Sequence, residues 1–294
     1  MTRRKLFRRL LIGAALPSYA FAVEPKWLDQ TLHTVPMPGH DLAPVRILHL
    51  SDLHISNFVP FSLIQRAVTM GLAAKPDLIC VTGDFITNSQ DFDGQQYRRI
   101  LRRLSAYAPT FATLGNHDGG PWTEGIGGFP DSKVVRSLLA DSGIRLLHNR
   151  SEIVQLRGQQ LRLAGVGDLW NDEVDPDGAF PEACSVSHRT AARKRLPTVL
   201  LAHNPDTKEL LGEYPWDLML CGHTHGGQVL VPGIGTRFVA VRDKDFISGL
   251  KRWNDRHIYI SRGVGNLGGV RLNCRPEVTV LQLTSAKLDD EHPV

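Results

Sequence analysis

Five short apolar runs punctuate the chain, at 45–50, 77–82, 110–115, 198–203 and 217–222, and polar residues follow each one. Runs of this length, rich in Val, Leu and Ile, predict strands buried on both faces. Helical patterns fit between several of them. One covers 61–74, and another covers 131–142, with Asp131 or Ser132 as its N-cap and Gly143 beyond its end. Pro205-Asp206 suits the first turn of a short helix reaching Glu213. From Gly226 onward strand and turn signals dominate, at 228–232, 236–241, 245–251, 256–262 and 277–283. The order predicts an α/β fold of two mixed β-sheets packed together with helices outside. Ligands of such sheets collect beyond the carboxyl ends of the strands. The stretch 168–196, polar and rich in Pro, Asp and Arg, interrupts the pattern and reads as an insert, a lid or a plain surface loop.

Composition narrows the class. The 294 residues are 42% hydrophobic and 22% charged, enough for one large domain with a full core, and no period of 20–50 residues or low-complexity tract suggests a repeat fold. The formal charge of +4 belongs to the first 22 residues, which hold Arg3, Arg4, Lys5, Arg8 and Arg9 and no acid. Without them 29 bases face 30 acids, so no general nucleic-acid binding is expected.

That leader has a basic start, an apolar run from Leu10 to Leu16 and a small-x-small site at Ala20-Phe21-Ala22. Thr2-Arg3-Arg4-Lys5-Leu6-Phe7 resembles a twin-arginine export signal, which implies the twin-arginine export machinery as a partner and a periplasmic or envelope location. An uncleaved N-terminal anchor at the inner membrane is the other reading. The expected division is leader 1–22, N-terminal arm or linker 23–43, main domain 44–284 and polar tail 285–294. Cys80, Cys184, Cys221 and Cys274 show no metal-binding spacing; Cys80 and Cys221 sit in apolar strands, where a thiol behaves as a small hydrophobe.

The chemistry lies just past the strands. Asp52-Leu53-His54 follows the first, Gly83-Asp84 the second, Gly115-Asn116-His117-Asp118 the third, His203-Asn204 the fourth and Gly222-His223-Thr224-His225 the fifth. Singly, each residue has a bland explanation as a cap or turn former. Jointly they are hard and borderline oxygen and nitrogen ligands, without thiolate, at positions the fold aims at one crevice. His33, His40, His49, His148, His188, His257 and His292 have no such company.

The ordered set Asp-x-His, Gly-Asp, Gly-Asn-His-Asp, His, Gly-His-x-His resembles the calcineurin-like metallophosphoesterase family, with no ligand block missing over residues 52–225. The resemblance implies that family's four-layer sandwich and a centre of two divalent metal ions, manganese first, with iron or zinc as alternatives. It implies Asp52, His54 and His225 on one ion, Asn116, His203 and His223 on the other, and Asp84 bridging both. A metal-bridging hydroxide would then attack a phosphodiester, with Asn116 and His117 steadying the phosphoryl oxygens, His117 serving the leaving group and Asp118 orienting its ring. Gly83, Gly115, Gly222, Gly226 and Gly227 would let the backbone turn sharply beside the ions.

Substrate signals are thinner. Phe58 and Phe61 open either a helix or a greasy rim for a membrane or acyl chain. Members of this family include enzymes that cleave the pyrophosphate of UDP-2,3-diacylglucosamine in lipid A biosynthesis, a pyrophosphate-linked substrate such a rim would suit. Arg262 and Arg271 could grip phosphate or form structural salt bridges. A non-catalytic scaffold is a third reading, against which the complete ligand set speaks.

Overall fold

The computed structural model of the chain describes residues 17–88, 93–182, 195–231, 233, 235 and 239–285. Among them one sheet contains β1 (Asp29–Pro36), β2 (Val45–Ser51), β3 (Leu78–Thr82), β4 (Thr110–Thr113), β5 (Arg145–Leu146) and β12 (Glu277–Thr284). Its order is β1-β12-β2-β3-β4-β5. The second holds β6 (Arg150–Leu156), β7 (Gln159–Gly165), β8 (Thr198–Leu201), β9 (Leu218–Cys221), β10 (Gly249–Trp253) and β11 (Arg256–Ile260), in the order β10-β11-β9-β8-β7-β6. The middle of each sheet is parallel: β2-β3-β4-β5 in one, and β7-β8-β9-β11 in the other. Parallel strands place their carboxyl ends along one edge, which fixes where the five polar clusters emerge.

The strands read as continuous apolar runs because both faces are covered. Alternate residues Val45, Ile47, Leu78, Cys80 and Phe111 point between the sheets, where they meet Leu163, Val199, Leu201, Leu218 and Leu220. The intervening Leu48, Leu50, Ile79, Val81 and Ala112 pack under α1 (Phe61–Ala73), α2 (Gly94–Ser105) and α3 (Lys133–Asp141). On the far side Leu200, Met219, Cys221, Ile258 and Ile260 lie under Phe180, Leu211, Trp216 and Phe246, carried by loops and short helical turns. The result is the expected pair of packed mixed sheets flanked by helices.

Several elements lay below the sequence pattern. In α2 the apolar residues Tyr97, Ile100, Leu101 and Leu104 form one stripe among arginines, and Asp93 caps the helix by accepting from Gln95 N and Gln96 N. The β6–β7 hairpin turns on Arg157 and Gly158, both at positive φ, without the Asn-Gly pair that marks such turns. Residues 29–36 of the expected arm form the edge strand β1, paired in parallel with β12. Conversely, 228–232 and 236–241 do not pair as strands over their described residues: Val229 makes an isolated bridge to Leu272, and 232 and 236–238 lie outside the described residues. Side chains take the backbone groups of the second stretch instead. His223 Nε2 meets Ala240 O at 3.1 Å, and Lys244 Nζ donates to Val239 O and Val241 O. The run 245–251 enters a sheet only from Gly249. Cys80, Cys221 and Cys274 are free, and Cys184 lies outside the described residues.

Glu277 secures the seam beside this edge. Its Oε1 accepts from Thr31 Oγ1 (2.6 Å) and Tyr259 OH (2.8 Å), and its Oε2 from Arg262 N (2.8 Å). Burial alone would raise the carboxyl; Arg262 and these bonds outweigh it and hold the group below its ordinary 4.5. A depressed folded value means stability that is present above 4.5 and lost as pH falls through the folded value. Glu277→Gln is therefore expected to cost about 1–3 kcal/mol at neutral pH, with the gap to wild type narrowing under acid. Urea midpoints at pH 7 and pH 4 check this, and a gap independent of pH would refute it.

Candidate metal centre

Three of the five strand ends, those of β2, β3 and β9, deliver their polar residues through an uncommon backbone turn. Asp52 (φ 50°), His54 (47°), Asp84 (55°), His223 (71°) and His225 (51°) are all in the left-handed region. That conformation costs roughly 1–2 kcal/mol for a residue with a side chain, so the surroundings must enforce it. They do: Asp52 N donates to Gly83 O (3.1 Å), His54 N to Asp84 O (2.9 Å), and His223 N to Asp52 Oδ1 (3.0 Å). The expectation that glycines would do the turning needs correction at Gly115 and Gly222, which are not at positive φ. Those two serve close approach. A Cβ on Gly222 would collide with Ser51 Oγ and the Asp52 carboxylate, and one on Gly115 with the Asp84 carboxylate.

The turns bring the seven expected ligands to one buried spot. Asp84 Oδ2 lies 3.2 Å from His54 Nε2 and 3.2 Å from His203 Nε2. On one side His225 Nε2 is 3.1 Å from His54 Nε2 and 3.5 Å from Asp52 Oδ1. On the other, His223 Nδ1 is 2.9 Å from Asn116 Oδ1 and 3.3 Å from His203 Nε2. Asp52 with His54 and His225, His54 with Asp84 and His117, and Asp52 with Asp84 and His203 each hold ligand atoms within 4.8 Å of one another.

The rings are prepared as ligands. His203 Nδ1 donates to Thr82 O (2.9 Å) and His223 Nε2 to Ala240 O (3.1 Å), so in each case the other nitrogen faces the centre. Burial would lower His203, but Asp84, Asp52 and Asp168 outweigh it and hold the ring above its ordinary range, so its Nε2 carries a proton that a bound cation would displace. His54 Nδ1 rests on Thr87 Oγ1 at 3.1 Å and likewise turns Nε2 inward. Burial, reinforced by neighbouring rings, lowers His223 to about 3 and holds His225 well below the ordinary range, so both are neutral imidazoles. Burial would raise Asp84, but His203, His117 and His54 outweigh it and keep the carboxyl ionised. Facing ring nitrogens 3.1 Å apart, backed by buried carboxylates, are what cations would hold together. Oxygen and nitrogen donors without thiolate suit divalent metal ions.

Other expected site residues divide. His117 joins the cluster, its ring 4.7 Å from that of His54. Its Nδ1 donates to Thr87 O at 3.0 Å, which leaves Nε2 open. Asp118 does not orient that ring. It accepts from Gly115 N (2.9 Å), Asp84 N (2.9 Å) and Phe85 N (2.7 Å), tying the loops after β3 and β4 together. Burial and the neighbouring Asp84 push its carboxyl up against the pull of those amides.

Arg271 is fully buried and donates to the carbonyls of Arg262, Gly263, Gly265 and Cys274, so it is spent on holding its loop. Arg262 pairs with Asp29 (2.9 Å) and Glu277 (3.4 Å). Carbonyls of its own loop claim the donors of Arg271, and acids at the starts of β1 and β12 claim those of Arg262, so both side chains serve the structure here. Phe61 packs against Tyr97, ring centres 5.6 Å apart, inside the helical core, whereas Phe58 stays exposed.

Sequence reasoning missed Thr87, which supports both His54 and His117, and the indoles of Trp122 and Trp170 beside His117 and His223. The available signal was a tryptophan in each of two loops rich in glycine, proline and acids, "HDGGPW" and "GDLWND". Trp170 belongs to the stretch read as an insert or lid, of which 183–194 lie outside the described residues.

Comparison with known proteins agrees with this geometry. The model for the calcineurin-like phosphoesterases matches residues 45–227. The chain is 42% identical over 286 residues to the phosphodiesterase YaeI of Escherichia coli K12, covering 96% of this chain and 99% of that protein. It is 30% identical over 298 residues to YkuE of Bacillus subtilis strain 168, an uncharacterized metallophosphoesterase, covering 97% and 98%. It is 25% identical over 323 residues to the UDP-2,3-diacylglucosamine pyrophosphatase LpxG of Chlamydia muridarum, covering 92% and 94%.

Proposed function

Because this chain belongs to the calcineurin-like phosphoesterase family and is a metal-dependent phosphoester hydrolase, we propose that it cleaves phosphodiesters at this centre. The observation that carries the reading is the convergence of Asp52, His54, Asp84, Asn116, His203, His223 and His225 from five strand ends. In this reading Asp52, His54 and His225 hold one cation, Asn116, His203 and His223 hold the second, and Asp84 serves both. Manganese is the first choice, with iron or zinc as the others. Bound metals supply a water acidified toward neutral pH and positive charge for the phosphoryl oxygens.

The chain's own residues do the rest. Tying Nδ1 of His117 to Thr87 leaves Nε2 as the nitrogen for the leaving oxygen. Burial lowers that ring to about 4, so it becomes a donor only as substrate charge arrives beside it. Asn116 gives Oδ1 to the centre and keeps its amide hydrogens for a phosphoryl oxygen.

The test is hydrolysis of bis(p-nitrophenyl) phosphate by full-length protein stripped with chelator and reloaded with Mn²⁺. Turnover lost on stripping and restored by metal, with two ions per chain by elemental analysis, is the expected result. Undiminished turnover in stripped protein would overturn the reading. His117→Ala is expected to keep its metal and lose about 10²–10⁴ in kcat.

A second reading rests on one observation. Phe58 is exposed and packs against Gly269, in the loop whose Gly265 N bonds Asp52 O, so a greasy edge adjoins the centre. Exposed Phe21 and Val23 lie close by, where Ala20 O accepts from Arg271 N. Such an edge favours membrane or acyl-chain contact and a pyrophosphatase acting on a UDP-linked diacylated sugar, as the name of LpxG records for that protein. Turnover of UDP-2,3-diacylglucosamine beside the simple diester distinguishes the two. The leader supports twin-arginine export to the periplasm or envelope, or retention at the inner membrane. Its residues 1–16 and the tail residues 286–294 lie outside the described residues. Among the described residues no helix is long and apolar enough to cross a membrane.

A further inference from the structure

We infer that Trp122 and Trp170 form an aromatic wall that stacks a planar ring carried by the substrate, so that the preferred phosphodiesters bear an aryl or nucleobase group. This rests on the phosphoester-hydrolase reading of the neighbouring centre. Four rings run side by side along the site. The Trp122 ring centre is 4.6 Å from that of His117 and 5.5 Å from that of Trp170, which is 4.2 Å from that of His223. The two indoles therefore join the imidazole expected at the leaving group to one expected at a metal.

Neither indole is part of a core. Trp170 is 38% exposed and Trp122 half-buried, an unusual place for large apolar surface unless something covers it.

Buried polar residues hold both loops in place. Asp168 Oδ1 accepts from Trp170 N and Asn171 N, each at 2.9 Å. Asn171 Oδ1 in turn accepts from Trp122 N at 3.1 Å, while its Nδ2 donates to Gly119 O at 3.4 Å. Asp168 is 1% exposed and Asn171 8%, so this latch is itself shielded from water. Gly120 makes the approach of the loops feasible: it sits at φ 124°, and a Cβ there would come within 2.7 Å of Asn171 Oδ1. Two loops about fifty residues apart in sequence are thus locked together with an indole on each, which is preorganisation of a binding face rather than incidental packing.

A single stacked ring on an indole is expected to change affinity about tenfold or more. The probe is a matched pair, benzyl methyl phosphate and cyclohexylmethyl methyl phosphate, which differ in planarity but little in size or charge. Titration calorimetry on Mn²⁺-loaded, full-length protein is expected to give a Kd about tenfold lower for the benzyl ester. The preference should fall to near unity in Trp122→Leu and Trp170→Leu and recover in Trp170→Phe. Equal affinities in wild type, or a preference that survives both leucine substitutions together, would overturn the wall. Absent turnover of bis(p-nitrophenyl) phosphate would instead overturn the hydrolase reading, since the calorimetric comparison does not depend on turnover.

Discussion

Asp84→Asn is expected to lower metal-dependent hydrolysis by about 10³-fold or more and to lose bound metal with it. Its carboxylate is the only described group within 3.2 Å of ring nitrogens from both halves of the centre, His54 and His203. Two cations held close together repel, and at an effective dielectric of about 20 a charge pair some 4 Å apart is worth about 4 kcal/mol. Asparagine has nearly the same shape and can still accept the His117 N–H that Asp84 Oδ1 takes at 2.9 Å. The change therefore removes charge and leaves the loop geometry in place. Elemental analysis beside steady-state kinetics reads both effects. Wild-type turnover with two retained ions would remove the shared-carboxylate model.

Asp118→Ala should be the most damaging substitution for stability, although Asp118 supplies nothing to the centre directly. The fully buried carboxylate satisfies the amides of Asp84, Phe85 and Gly115. Removing it leaves three buried donors without a partner, at about 1–3 kcal/mol each before relaxation. A loss of about 3–6 kcal/mol would consume much of a stability of about 5–15 kcal/mol. Asp84 and Asn116 would lose alignment with it, so activity should fall even in the fraction that stays folded. Urea unfolding checks the first effect and activity per folded molecule the second. Asp118→Asn keeps one acceptor and is expected to fall between; a stability near wild type for Asp118→Ala would show that the latch is dispensable.

How much of this was legible depends on the range over which each feature is encoded. The five buried strands were plain because runs such as 45–50 and 217–222 are apolar on both faces. Helix α2 was hidden because four arginines dilute its stripe of Tyr97, Ile100, Leu101 and Leu104. Over the described residues of the strand expected at 236–241, His223 and Lys244 claim the carbonyls of 239–241 that a ladder would need.

Roles assigned to side chains divide in the same way. The gathering of Asp52, His54 and His225 could be foreseen because each lies within a few residues of the end of a strand whose direction the fold dictates, whereas their division between ions came from the family resemblance. Arg271 could not, because its donors are claimed by carbonyls of its own loop only when that loop closes over them. Asp118 likewise looked like a partner for the adjacent His117, until the return of β3 brought the Asp84 and Phe85 amides within 2.9 Å.

By itself the sequence determined the layered fold and which chemical types of ligand reach the carboxyl edge of the sheets. Hydrophobic periodicity and strand-end position are local properties, written within about ten residues. Tertiary structure alone decided that Thr87 steadies two imidazoles, that Asp118 binds loops rather than a ring, and that two tryptophans meet beside the centre. Those contacts join stretches some thirty to fifty residues apart, and they exist only once both sheets have packed and enforced left-handed turns that few side chains adopt unaided.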